Sequence, residues 1–121
     1  MSDSAGAFEE FLASVPFVPG ATPVFSNAEA VPYPEDPTLM RRLLAAQLAR
    51  PVRFVEQVEA MYAHGARTFL ELGPGAVLTG LVGKILGGRP HRAINLDTRG
   101  TDAATAFHRG LARLFAAGCT R

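Results

Sequence analysis

Glu71 is the carboxylate that stands inside an apolar run, Thr68-Phe69-Leu70-Glu71-Leu72. A bare charge in a buried strand is costly, so its side chain must be paired or hydrogen-bonded. That requirement is met by a structural ion pair, with Arg53 or Arg67 as partner, or by acid/base duty in a site. Gly73-Pro74-Gly75 follows at once and leads into a helical period. Glycines let the backbone approach a ligand closely, and a helix N-terminus offers unpaired N–H groups to an anion. The dinucleotide pattern would need glycine where Leu78 stands, and the Walker pattern would need Lys-Ser/Thr after Gly80, where the chain has Leu81-Val82. A tight strand-to-helix turn is the reading these spacings favour, with a free-standing anion-binding turn as a further one.

The remaining reactive side chains are scattered. His64, His91 and His108 belong to no His-x-x-x-His or Cys-x-x-Cys cluster, so no metal set is expected. His64 beside Gly65 reads as a solvated cap. Ser14 and Ser26 lack the Gly-x-Ser-x-Gly flanks of a nucleophile elbow. Cys119, near the C-terminus, is the single cysteine and can close no intramolecular bridge.

With 121 residues, 48% hydrophobic and 19% charged, the chain has a globular composition and the length of one domain. Twelve basic against eleven acidic residues leave a formal net charge of +1, so no bulk field draws it to nucleic acid or anionic lipid. The apolar stretches Val77–Leu86 and Leu43–Leu48 fall short of the roughly 18 residues of a membrane span. Met1-Ser2-Asp3-Ser4 lacks the basic start of a signal peptide. The expectation is a soluble, cytoplasmic protein with no nucleic-acid or membrane partner.

The elements that must position these residues follow from caps and breakers. Phe8, Phe11, Leu12 and Val15 draw one stripe on a helix over Ala5–Val15, with Ser4 as N-cap. A Pro-rich connector, residues 16–36, then runs extended apart from one brief strand at Pro23–Ser26. Asp36-Pro37 starts a helix whose inner face is Leu39, Met40, Leu43, Leu44, Gln47 and Leu48. Pro51 breaks it, and Phe54, Val55, Val58, Met61 and Tyr62 restart a helical period that Gly65 ends. Thr68–Leu72 is a buried strand, and Val77, Leu78, Leu81, Val82 and Ile85 mark a helix running to Gly87-Gly88. Arg92–Leu96 is a further strand, and Thr101–Ala117 a last helix with Phe107, Leu111, Leu114 and Phe115 inward. Alternating strands and helices imply parallel pairing in an α/β domain. About three short, mostly parallel strands with covering helices make a small sheet, so residues 1–121 read as a single partial domain of a larger α/β unit.

One series of residues points to a family. Gln47…Pro51-Val52-Arg53…Phe69-Leu70-Glu71-Leu72-Gly73-Pro74-Gly75…Leu78-Thr79-Gly80-Leu81 closely resembles the C-terminal part of polyketide synthase acyltransferase domains, relatives of the malonyl-CoA:acyl-carrier-protein transacylases. Pro23-Val24-Phe25-Ser26-Asn27 resembles that family's short strand with its asparagine, and Phe8–Phe17 the helix after its catalytic histidine. The resemblance covers about residues 8–117. It implies the C-terminal portion of a hydrolase-like large subdomain, whose parent passes a malonyl-type unit from coenzyme A to the phosphopantetheine thiol of an acyl carrier protein. The serine nucleophile and histidine base would precede this segment, so no catalytic residue is expected in the chain, and no cofactor bound by it. Gln47 matches the residue whose backbone carbonyl orients the base. Glu71, Gly73, Pro74 and Gly75 match structural motif residues. The implied partners are the remainder of the acyltransferase domain and, through the parent, the carrier protein. An accessory or interaction module complementing a separate catalytic half is the alternative.

Overall fold

The computed structural model describes residues 2–119. Five helices and two strands follow in the order α1 (Ser2–Ala13), α2 (Pro37–Ala46), α3 (Phe54–Ala63), β1 (Thr68–Glu71), α4 (Val77–Leu86), β2 (Arg92–Asn95) and α5 (Ala103–Ala116). A 3-10 turn, Gln47–Ala49, extends α2. The chain divides into two compact units, residues 1–61 and 62–121.

In the first unit, α1 already includes Ser4, which is therefore a helical residue and not the expected cap. Leu12 is buried, Phe8 and Val15 are half-buried, and Phe11 is 63% exposed, so the inner stripe excludes Phe11. Asp36 caps α2 as its sequence predicts, accepting the N–H groups of Thr38 at 2.7 Å and Leu39 at 3.1 Å, with Pro37 in the first turn. The inner face of α2 centres on buried Ala45, and Leu39 and Leu48 are exposed.

The expected strand at Pro23–Ser26 is reduced to one antiparallel bridge, Phe25 with Pro32. Ser26 N–H donates to the Val31 carbonyl and Tyr33 N–H to that of Val24, each at 2.8 Å. Pro23, Pro32 and Pro34 have no N–H to continue a ladder, which ends the pairing there. The sheet accordingly has two strands and not three.

The second unit is a β-α-β crossover. Its strands pair in parallel, Thr68 opposite Arg92 through Glu71 opposite Asn95, as alternating elements require. Gly87, at φ +56°, ends α4 in a conformation that favours glycine. Val82, Leu86 and Ile94 are buried, whereas Leu70, Leu72, Val77, Leu78 and Leu81 remain exposed, so β1 is less covered than its apolar run suggests. α5 also turns a different face inward. Ala106 and Gly110 are its buried residues, Phe107 and Leu111 are exposed, and Phe115 is 74% exposed. The physical cause is close approach: a methyl group built on Gly110 would collide with Leu96 Cδ2 and lie 3.2 Å from the Asn95 carbonyl oxygen. The smallest residues set the contact; of the expected stripe Leu114 is half-buried, and Phe107, Leu111 and Phe115 are left exposed.

Candidate functional site

At the carboxyl end of β1, Glu71 reaches over the Gly73-Pro74-Gly75 turn to the first turn of α4. Its Oε1 accepts the Leu78 N–H at 3.1 Å, and its Oε2 accepts the Thr79 N–H at 2.8 Å and the Thr79 hydroxyl at 2.7 Å. Neither arginine named from the sequence is its partner. Arg53 bonds Glu56 at 3.1 Å, and Arg67 donates to the carbonyls of Tyr62 and Ala66. Partial burial, the largest single influence on Glu71, raises its carboxyl pKa. Hydrogen bonds from the Thr79 hydroxyl and the N–H groups of Thr79, Leu78 and Val77 together outweigh it and hold the pKa below the ordinary value.

The same turn carries a second carboxylate, because Asp97 Oδ2 accepts the Gly75 N–H at 3.1 Å. Helix-start donors that could have held a phosphate thus hold this chain's own acids, which removes the anion-binding reading of the turn. Gly73 at φ +146° and Gly75 at φ +86° are needed for backbone conformation. Space is not the reason, since a methyl group on either would meet nothing within 4 Å.

Gln47 lies in the first unit, at the start of the 3-10 turn, on the wall of a mainly apolar hollow of about 470 Å3 with Phe25, Asn27, Tyr33, Met40 and Leu44. Its carbonyl oxygen accepts the Arg50 N–H at 3.3 Å. A carbonyl has two lone pairs, so one further donor can be accommodated. Asn27 is fixed by Gln57, a residue that sequence reasoning passed over. Buried Gln57 donates its Nε2 to Asn27 Oδ1 and to the Phe25 carbonyl, each at 3.1 Å, while Arg53 N–H donates to the Asn27 carbonyl at 2.8 Å. The available signal was a glutamine beside Val58 on the inner face of α3, where a buried amide must find partners.

The histidines remain apart from these clusters. His91 Nδ1 lies 2.7 Å from the Arg89 carbonyl and His108 Nδ1 2.7 Å from that of Ala104. Among the described residues no three His, Cys, Asp or Glu form a metal-holding group, and no helix is long and apolar enough to cross a membrane. Cys119 is exposed, with Sγ 3.7 Å from Thr68 Oγ1.

The architecture is that of acyltransferase domains. The acyltransferase domain from the second module of the salinomycin polyketide synthase superposes with a TM-score of 0.84 at 22% identity, over 99% of this chain and 28% of that one. The MCAT from Streptococcus pneumoniae superposes with a TM-score of 0.74 at 29% identity, over 91% of this chain and 33% of that one. In sequence, the polyketide biosynthesis malonyl CoA-acyl carrier protein transacylase PksC of Bacillus subtilis (strain 168) is 38% identical over 85 residues, 70% of this chain and 29% of that protein. The polyketide biosynthesis protein ThaF of Burkholderia thailandensis is 42% identical over 88 residues, 71% of this chain and 7% of that protein. No family model matches the chain. Its homologues are polyketide synthase acyltransferase and malonyl-CoA:acyl-carrier-protein transacylase domains, of which it matches a C-terminal portion. The chain spans 11% and 29% of the length of the curated relatives PksE and PksC.

Proposed function

We propose that this chain is the C-terminal portion of an acyltransferase domain whose parent moves a malonyl-type acyl unit from coenzyme A to an acyl carrier protein in the cytoplasm. The observation that carries the reading is the identity of 34 to 42% over 85 to 88 residues with proteins of polyketide biosynthesis, two of them transacylases by name. Gln47 supplies a backbone carbonyl that orients the catalytic imidazole, a role supported by its place on the hollow and its second lone pair. Glu71, Gly73, Pro74 and Gly75 are scaffold, holding α4 to the end of β1. The thioester-attacking serine, its histidine base and the groups that bind coenzyme A and the phosphopantetheine arm belong to the remainder of the domain. That remainder also covers the exposed leucines of β1 and α4.

By itself the chain transfers nothing. Incubation of the purified protein with malonyl-CoA is expected to leave its intact mass unchanged. A malonyl adduct that survives denaturation, on any serine or on Cys119, would overturn this reading and make the chain a free-standing enzyme.

A further inference from the structure

The near-neutral total charge hides an uneven distribution. Residues 62–121 hold eight Lys/Arg and three Asp/Glu, a formal +5, against four and eight in residues 1–61, a formal −4. The three carboxylates of the second unit are engaged by backbone and hydroxyl donors: Glu71 by Leu78 and Thr79, Asp97 by Gly75, and Asp102 by Thr105. Among the described residues none of them pairs with an arginine or lysine, so the basic excess of this unit is not neutralised by its own acids.

Part of that excess gathers at the amino-terminal end of the sheet. Arg67 precedes β1 and Arg92 opens β2, joined by a hydrogen bond of 2.7 Å from the Arg92 N–H to the Arg67 carbonyl. With His91 and Pro90 they line a hollow of about 300 Å3. Arg92 also begins a second hollow, of about 460 Å3, formed by Ala93 and Ile94 of β2 with Arg113 and Ala116 of α5. The two hollows have Arg92 in common, so Arg67, Arg92 and Arg113 border adjoining hollows, a basic track. The Arg67 guanidinium is held in place, 3.8 Å from the Tyr62 ring centroid and bonded through Nη1 to two carbonyls. The side chains of Arg92 and Arg113 are exposed and make no hydrogen bond or ion pair among the described residues.

We infer that this track docks an extended, carboxylate-rich polypeptide segment. Guanidinium groups match carboxylates in fork geometry, and here those of Arg67, Arg92 and Arg113 border hollows whose apolar lining includes Pro90, Ala93, Ile94 and Ala116. That layout suits side chains of alternating character on one extended backbone better than a single anion. The track also runs beside β2, which pairs with β1 and with no other strand among the described residues. Single-stranded nucleic acid would want an open ring to stack on, and the Tyr62 ring is covered by the guanidinium groups of Arg67 and Arg89. The inference is independent of the acyl-transfer reading.

The test uses the full chain and a fluorescent decapeptide of alternating Glu and Ala, read by anisotropy at low and physiological salt. Binding that weakens with salt is expected, and the double charge reversal Arg92→Glu with Arg113→Glu should reduce affinity by at least about tenfold, while Arg99→Glu, outside the track, changes it little. All three side chains are exposed, and circular dichroism checks that each variant folds. No binding of the decapeptide, an equal loss with Arg99→Glu, or tighter binding of a single-stranded oligonucleotide of equal charge would each overturn the inference.

Discussion

Glu71 and Thr79 are joined twice through one carboxylate oxygen: Oε2 accepts the threonine's backbone N–H at 2.8 Å and its hydroxyl at 2.7 Å. The end of β1 is thereby tied to the first turn of α4 by a side-chain cap placed eight residues before the helical donor. Glu71→Ala leaves these donors without their acceptor and should lower unfolding stability by about 1–2 kcal/mol, the usual loss for a helix cap. Thr79→Val, which keeps the backbone bond, should lose less. Urea denaturation of the two variants decides it, and an unchanged midpoint for Glu71→Ala would show that the cap contributes nothing.

The same cap sets an acid limit. Because the folded pKa of Glu71 lies below its ordinary 4.5, the unfolded chain takes up the proton first as pH falls. The stabilisation is therefore fully present above the unfolded value and disappears as pH falls through the folded one. Asp102, lowered by the Thr105 N–H and hydroxyl, and Glu56, lowered by backbone N–H bonding and by Arg53, act in the same direction. Glu71→Gln should be less stable than the parent at neutral pH, and the gap should close on acidification below about pH 4.5. A gap constant across a series of denaturation curves from pH 7 to 3 would contradict the assignment.

Gly110 makes a size-dependent contact. Alanine there gains about 1 kcal/mol of helix propensity but crowds Leu96 and the Asn95 carbonyl, so the net change should stay within about 1 kcal/mol. Leucine should cost about 1–3 kcal/mol or more by lifting α5 from β2. Thermal melts of the two variants separate the cases, and a leucine variant as stable as the parent would show that α5 is free to move.

Ser26 is fully buried and its hydroxyl has no partner among the described residues. Ser26→Ala removes an unsatisfied polar group at little change of volume, so stability should be unchanged or rise by about 1 kcal/mol. A loss of more than about 1 kcal/mol on chemical denaturation would reveal a bond to that hydroxyl.

Gln47 offers a test of the proposed transfer chemistry in a complete acyltransferase domain carrying this segment. Alanine keeps the carbonyl and should lower single-turnover acylation only modestly. Proline removes the N–H that Gln47 donates to the carbonyls at the end of α2, and its ring clashes with the preceding turn, so acylation should fall much further while donor binding holds. Equal damage from both substitutions in equally folded proteins would move the role from backbone to side chain.

Features written in short stretches of chain were legible in advance. Asp36-Pro37 announced α2 and Gly87 ended α4, because a cap or a breaker acts on its immediate neighbours. Both sheet strands were placed to within a residue for the same reason. What escaped depended on partners distant in sequence. Periodicity weighs Phe107, Leu111 and Phe115 above Gly110 on α5, whereas closeness to Leu96 selects the small face. A buried charge calls for a counter-charge, which points Glu71 to an arginine, whereas the dipole and N–H groups of a helix start meet the same need. Gln47 enters the candidate site by family resemblance alone, and no local pattern in the sequence singles out Gln57 or Asp97.

The parallel register pairs each residue of β1 with one 24 positions later, Thr68 with Arg92 and Glu71 with Asn95, and the helix that joins the two strands, α4, lies between them in the chain. Closing a loop of that length carries a modest entropic cost that grows only with the logarithm of its size. This crossover can therefore assemble from its own residues, ahead of the docking of α5, and serve as the platform onto which that helix condenses. Pulse-labelled amide exchange during refolding would show that order as early protection of Arg92 and Leu96, whose N–H groups bond the Arg67 and Glu71 carbonyls, ahead of the amides of α5.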